Sequence, residues 1–124
     1  MADFQEKPIA DVRRVSGEAI DAKSILLAIK TSDGLMYKAA DTAAMVVVGR
    51  NQEVVAISKG ITAIPGKFLV DNSETYPVTY AHIGSDCYIE DELTVASSGG
   101  SNSIVAGKVI DVETAGVWVA VGQQ

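Results

Sequence analysis

The sequence predicts an all-β fold, a small β-barrel or β-sandwich with at most one or two short helical turns. Residues 84–121 alternate β-branched and aromatic runs with Gly, Ser and Asn breaks, which is typical of a meander of strands. Asp33-Gly34 lies between two apolar runs, as expected of a hairpin turn. No apolar run approaches the roughly 20 residues that a membrane-spanning helix needs.

Apolar runs and turn residues place the individual elements. We expect strands over 24–31, 35–39, 45–49, 53–58, 87–90, 93–96, 104–112 and 117–121. The stretch from Glu18 to Ile29 also fits a helix, but the Asp-Gly turn that follows favours a strand over 24–31. The run before Arg50-Asn51-Gln52 and the run after it predict a second hairpin.

Two further elements have weaker signals. A strand over 63–70 is interrupted by Pro65-Gly66, which predicts an edge or a bend. Residues 79–83 fit one helical turn, with Thr79 as its N-cap and Gly84 as its stop.

The chain also contains a weak internal repeat, in which residues recur at an offset of 58 positions. Its first copy falls around 27–50 and its second around 85–108. This recurrence predicts two similar halves within one small barrel or sandwich. The four matching pairs are Asp33 with Asp91, Leu35 with Leu93, Val47 with Val105, and Gly49 with Gly107.

At 124 residues the chain predicts a single β-domain over 16–124, preceded by an extended N-terminal arm over 1–15. The arm has weak periodicity, mixed charge and a proline. Apolar residues are nevertheless spaced along it, and a frayed tail has little use for them. The arm residues that we expect to anchor a partner surface are Phe4, Pro8, Ile9, Val12, Arg13 and Arg14.

Charge and cysteine content exclude several classes of protein. Residues 1–67 hold nine basic and eight acidic side chains, whereas residues 68–124 hold one basic and eight acidic ones. An acidic half argues against nucleic acid as a partner, because phosphate contacts need clustered Lys and Arg. Cys87 is the single cysteine, so an intramolecular disulfide is excluded. The N-terminus lacks the apolar segment of a signal peptide, so we expect a soluble protein made in a cytoplasm, with no membrane partner.

Candidate reaction centres are few. Cys87 lies near His82 and Asp86, which formally allows a nucleophilic set, but a lone buried cysteine is more often a small hydrophobic residue. The acidic cluster formed by Asp86 and residues 90–92 lacks the spacing of a calcium loop and fits a solvated turn. The loop 97–103 lacks the ending of a phosphate-binding loop. We therefore expect no catalytic, cofactor or metal site, and a protein that is not an enzyme.

The last strand predicts an interface. In GVWVAV, Val117, Val119 and Val121 lie on one face of the strand, and Trp118 and Ala120 lie on the other. A strand that is apolar on both faces is either central in a sandwich or covered by another subunit. Trp118 is accordingly our candidate subunit contact.

The order of these pieces resembles a known family. An Asp-Gly hairpin ending in KAADTA leads to VVVG, then to AHIGSDCYIEDELTVA (81–96), and finally to AGKVIDVETAGVWV (106–119). This pattern, which covers residues 16–121, is similar to the capsid cement, or head decoration, proteins of tailed bacteriophages of the Mu-like type. It is a pattern of strands and loops and contains no catalytic signature.

The resemblance implies a small, β-tulip-like fold that binds the outside of the expanded capsid and stabilises the shell. It further implies a homotrimer whose other partner is the major capsid protein, no cofactor, and a location on the virion exterior after synthesis in the host bacterial cytoplasm. A phage tail or baseplate structural protein and a small β-barrel ligand-binding module are the alternatives. A cysteine enzyme that uses Cys87 and His82 is a third.

Overall fold

The computed structural model describes residues 11–122, which form ten strands and one 3₁₀ turn over Tyr80–His82. The all-β prediction is confirmed. The strands are β1 (Val12–Val15), β2 (Leu26–Lys30), β3 (Met36–Lys38), β4 (Met45–Arg50), β5 (Gly60–Ala63), β6 (Gly66–Asn72), β7 (Asp86–Ile89), β8 (Thr94–Ala96), β9 (Val105–Glu113) and β10 (Gly116–Val121).

The C-terminal half of the chain closes into a five-stranded barrel. Its strands follow the order β10-β6-β8-β7-β9, and β9 pairs with β10 to complete the ring. The contact between β6 and β8 is parallel, and every other contact in the ring is antiparallel. Inward-facing residues of the strands fill the barrel: Val117, Val119 and Val121 of β10 are fully buried.

The N-terminal half forms a ring of its own. Here β1 pairs with β5, and β2 lies between β3 and β4. Two single bridges join these sheets: Arg50 pairs with Ile64 in the antiparallel sense, and Ser16 pairs with Met36 in the parallel sense. The ring order is therefore β1-β5-β4-β2-β3, and it encloses its own small core around Leu27.

The two rings have the same topology. Strands β1 to β5 correspond, in chain order, to strands β6 to β10. With this matching, each strand has the equivalent neighbours in both rings and runs parallel or antiparallel to them in the same way. The single parallel contact joins β3 to β1 in one ring and β8 to β6 in the other. The repeat suggested by the sequence is thus a duplicated five-stranded barrel. We call the ring of β1 to β5 the first barrel and the ring of β6 to β10 the second barrel.

Local details repeat as well. The Asp33 carboxylate accepts a hydrogen bond from the Leu35 N–H at 2.9 Å, and the Asp91 carboxylate accepts one from the Leu93 N–H at 2.8 Å. Both aspartates therefore shape the turn after their central strand in the same way. The pairing between the fourth and fifth strands of each ring also corresponds. Arg50 lies opposite Ile64 in one ring, and Lys108, which is 58 positions after Arg50, lies opposite Ala120 in the other.

Strand β2 holds the two barrels together. Leu26 and Ala28 face the large core shared with the second barrel, whereas Leu27 faces the small core of the first. A strand buried on both faces needs an uninterrupted apolar run, which explains the sequence ILLAI at 25–29. The Asp-Gly hairpin predicted after it is confirmed, because β2 and β3 pair in antiparallel register.

The second predicted hairpin is wrong. Residues 53–58 form no strand, and within that segment Val55 makes a single bridge to Ile20. The free edge of β4 is taken by Ile64, so the 53–58 segment has no strand to pair with. Val54 and Ile57 are exposed, whereas Val55 packs against the small core around Leu27.

The other predicted elements lie close to the observed ones. The strand interrupted at Pro65-Gly66 is two strands, β5 and β6, separated by a bend. The predicted helical turn is the 3₁₀ turn, and the backbone N–H of its N-cap Thr79 donates to His82 Nδ1 at 2.9 Å.

The start of the predicted arm lies outside the described residues, up to residue 10. From Val12 to Val15 the chain is strand β1, hydrogen-bonded to β5 and thus part of the first barrel.

Candidate protein interface

The outer face of β6 and β10 carries Trp118. Trp118 lies opposite Leu69 in the antiparallel register, so the two side chains share the solvent side of the second barrel. Leu69 is 41% exposed, and Ile110 on the neighbouring strand β9 is 40% exposed. We call this surface the Trp118 face: it consists of Lys67, Leu69, Asp71, Ile110, Asp111, Trp118 and Ala120.

Alternation along β10 produces this face. Odd-numbered valines of the strand point into the barrel, and Trp118 and Ala120 consequently point outwards, where both are half-buried. A bulge between Trp118 and Val119 places Ile110 and Asp111 together opposite β10. A large aromatic residue flanked by exposed aliphatic ones is the composition expected of an interface centre.

Charged residues form the rim of the Trp118 face. Lys67 lies at one end of β6 and Asp71 at the other, and Asp111 pairs with Trp118 across the sheet. Within residues 11–122 these three side chains make no ion pair, since the salt bridges found there are Lys38–Asp21 and Lys108–Asp86. An apolar centre with a charged, unpaired rim fits a protein partner.

The predicted arm residues fall into two groups. Phe4, Pro8 and Ile9 lie outside the described residues. Val12 is partly buried and packs against the small core of the first barrel. Arg13 and Arg14 are exposed on β1, and the Arg13 guanidinium donates to Thr62 Oγ1 at 3.3 Å.

Cys87 and His82 do not form a reactive pair. Cys87 is fully buried in the second barrel, and its thiol donates to the Gly107 carbonyl at 3.5 Å. Burial raises the pKa of the Cys87 thiol to about 12, so the nucleophilic thiolate is scarce at neutral pH. His82 Nδ1 meanwhile accepts the Thr79 N–H, which makes this histidine a cap of the 3₁₀ turn.

The acidic cluster is divided among separate contacts. Asp86 pairs with Lys108 at 2.9 Å, Glu90 accepts a hydrogen bond from the Ser73 hydroxyl, and Asp91 shapes its own turn. Among residues 11–122 no three His, Cys, Asp or Glu side chains converge as metal ligands would. No helix in this part of the chain is long and apolar enough to cross a membrane.

Asp41 organises the Gly/Ser/Asn loop, a role for which the sequence contains no local signal. Its carboxylate accepts hydrogen bonds from the N–H groups of Ser101 and Asn102, both at 2.9 Å. The Asn102 amide donates to the Asp41 carbonyl as well. These bonds, the one from Ser101 above all, lower the pKa of the Asp41 carboxyl. The loop between β8 and β9 is thereby tied to the first barrel.

Leu69 and Ile110 were also missed as members of the interface. Their signal was present in the sequence, because KFLV at 67–70 and VIDV at 109–112 place apolar residues on both faces of their strands. No family model, curated protein or solved structure matches this chain. The surface chemistry of the described residues therefore carries the functional argument.

Proposed function

We propose that this protein is a structural virion protein that binds the outer surface of a phage capsid and stabilises the expanded shell. The observation that carries this proposal is the Trp118 face, an apolar surface with a charged rim on a small β-fold. The resemblance of residues 16–121 to capsid cement proteins supports the major capsid protein as the partner. A second copy of the chain is the other partner, in a homotrimer on the virion exterior.

The energetics suit such a function. A fully buried Leu or Ile side chain contributes about 1.5–3 kcal/mol before ordering costs. One copy with a few such contacts binds weakly, but copies tied to one another on a shell bind together, so their affinities combine as avidity. A cement protein needs many small contacts of this kind and no reaction centre.

The direct test is binding to purified expanded capsids. Trp118→Ser should reduce the number of bound copies, because it removes the centre of the face through which neighbouring copies hold one another, and with it the avidity of binding. The matched control is Tyr80→Ser, since Tyr80 is 72% exposed and lies on the 3₁₀ turn, away from that face. If both variants and the unmodified protein were retained equally, the Trp118 face would have no part in attachment to the capsid.

The arm is tested by deleting residues 2–10. A deletion extending to residue 14 would remove most of β1 and would confound folding with binding. We expect the shorter deletion to leave the circular dichroism spectrum unchanged and to weaken retention on capsids, because Phe4, Pro8 and Ile9 are lost. Full occupancy by the shortened protein would move all binding to the barrels.

Imaging of native particles separates the proposal from the tail alternative. Density for this protein over the capsid lattice supports a cement role, and density confined to the tail or baseplate supports the alternative.

A further inference from the structure

The first barrel has a surface equivalent to the Trp118 face. The outer side of β1 and β5 carries Asp11, Arg13, Val15, Gly60, Thr62 and Ile64, which we call the Arg13 face. Ile64 and Ala120 correspond through their pairing with Arg50 and Lys108. Strand pairing then matches Thr62 with Trp118 and Arg13 with Leu69.

The chemistry of the two faces is complementary at these equivalent positions. Asp11 of the Arg13 face occupies the place of Lys67, and the cationic Arg13 stands where the Trp118 face has an apolar residue. At the other end, the exposed Val15 of the Arg13 face occupies the place of Asp71, and Gly60, which follows the exposed Lys59, occupies the place of Gly116.

The net charges of the two barrels are also opposite in sign. Residues 11–64 hold seven basic and six acidic side chains, whereas residues 66–122 hold two basic and eight acidic ones. Two second barrels in contact would therefore repel each other, while a first barrel against a second barrel avoids this cost.

We infer that the Arg13 face of one copy binds the Trp118 face of a second copy. When the faces stack with equivalent strand ends together, β1 lies over β10 and β5 lies over β6. Arg13 then meets the indole of Trp118, which is a favourable cation–π arrangement with Asp111 beside it. Thr62 meets Leu69, and Asp11 lies over Ala120, beside Lys67 on the neighbouring strand β6.

Each copy has both faces, so this contact repeats from one copy to the next and can close into a ring. The inference deepens the self-association included in the proposed function and rests on it only for the ring's place on a capsid. The contact itself is a property of the purified protein, so the two can fail separately.

The test uses two single-cysteine additions, Thr62→Cys and Leu69→Cys. The natural Cys87 is fully buried and does not compete. Under mild oxidation at high protein concentration, a mixture of the two variants should form disulfide-linked dimers, and each variant alone should not. Val46→Cys with Tyr80→Cys is the control pair, because both positions are exposed and lie outside the two faces.

Two results would overturn the inference. Efficient cross-linking of Leu69→Cys with itself would indicate that two Trp118 faces bind each other. Cross-linking of the mixture no stronger than that of the control pair would show that the faces do not meet. Cross-linking as expected without capsid binding would retain the inference and refute the proposed function.

A charge exchange gives an independent readout. Lys67→Asp should weaken self-association in sedimentation experiments by about tenfold, because it places two acidic residues together. The double variant Asp11→Lys, Lys67→Asp should restore association. Failure of the second substitution to restore it would contradict the pairing of Asp11 with Lys67.

Discussion

Asn51 is the fully buried residue that fixes the chain after β4. Its side-chain oxygen Oδ1 accepts a hydrogen bond from the Ile25 N–H at 2.9 Å. Its side-chain nitrogen Nδ2 donates to the backbone carbonyls of Ala22 and Glu53 at 2.7 and 2.9 Å. We expect Asn51→Ala to lower the free energy of unfolding by about 3 kcal/mol, because the buried Ile25 N–H and two part-buried carbonyl groups lose their hydrogen-bond partner. Urea denaturation measures the loss.

The neighbouring Gln52→Ala is the control for Asn51. Gln52 is exposed, so its replacement should change the free energy of unfolding by no more than about 0.5 kcal/mol. Comparable losses in the two variants would mean that the three hydrogen bonds of Asn51 are unimportant for stability.

Asp41 gives the fold a dependence on acid pH. Its folded pKa lies below the ordinary value of 3.8, so its contribution to stability is complete above that value and is lost as the pH falls through the folded pKa. Asp41→Asn should therefore be less stable than the unmodified protein at pH 7, and the difference should shrink below about pH 3.8. Thermal unfolding at both pH values checks this, and a difference independent of pH would contradict it.

At the scale of the elements, two equivalent glycines permit the close approach of strands. A Cβ on Gly49 would lie 2.6 Å from the Ile64 carbonyl oxygen, and one on Gly107 would collide with the Ala120 carbonyl oxygen. We expect Gly107→Ala to cost about 3 kcal/mol of stability, because the backbone of β10 would have to move.

Gly84→Ala separates this collision from backbone strain. Gly84 has a φ of 88° and nothing within 4 Å of an added Cβ, so its replacement should cost only about 1–2 kcal/mol. Chemical denaturation of both variants makes the comparison. An equal loss would indicate that the contact with Ala120 relaxes easily.

Strands with strong local signals could be predicted from the sequence. The Asp-Gly turn located β2 and β3, and the apolar runs located β9 and β10, because turn chemistry and alternation act over neighbouring residues. The segment 53–58 could not be predicted correctly, because its conformation depends on Ile64, a distant residue that pairs with β4. The loss of this hairpin is a case of tertiary contacts deciding over local pattern.

The candidate interface was predictable in the same partial way. Alternation in GVWVAV was sufficient to turn Trp118 away from the barrel interior. Leu69 and Ile110 join it through pairing of β10 with β6 and β9, which the sequence does not state. Equally, no local pattern shows that Asp41 holds a loop 60 residues further along the chain.

At the scale of the whole molecule, the two barrels share one large core. Leu26, Ala28 and Val47 come from the first barrel and pack with Cys87 and residues of the second. We therefore expect both barrels to unfold in a single transition, because separation would expose this core to water.

Hydrogen exchange measures this cooperativity. The amides of Ile61 in β5 and Val119 in β10 should exchange with the same free energy of opening, equal to that of global unfolding. Clearly different values, or two steps in denaturation, would show that the barrels are independent folding units.

The duplicated barrel also supplies an internal comparison for tolerance to mutation. Positions that define the shared architecture, such as Gly49 and Gly107 or Asp33 and Asp91, should show matching profiles when every residue is replaced in turn. Arg13 and its twin Leu69 should show different profiles, because the same place in the barrel has been given a different chemistry. Within one chain, twins that tolerate the same replacements report on folding, and twins that diverge report on what each surface has come to bind.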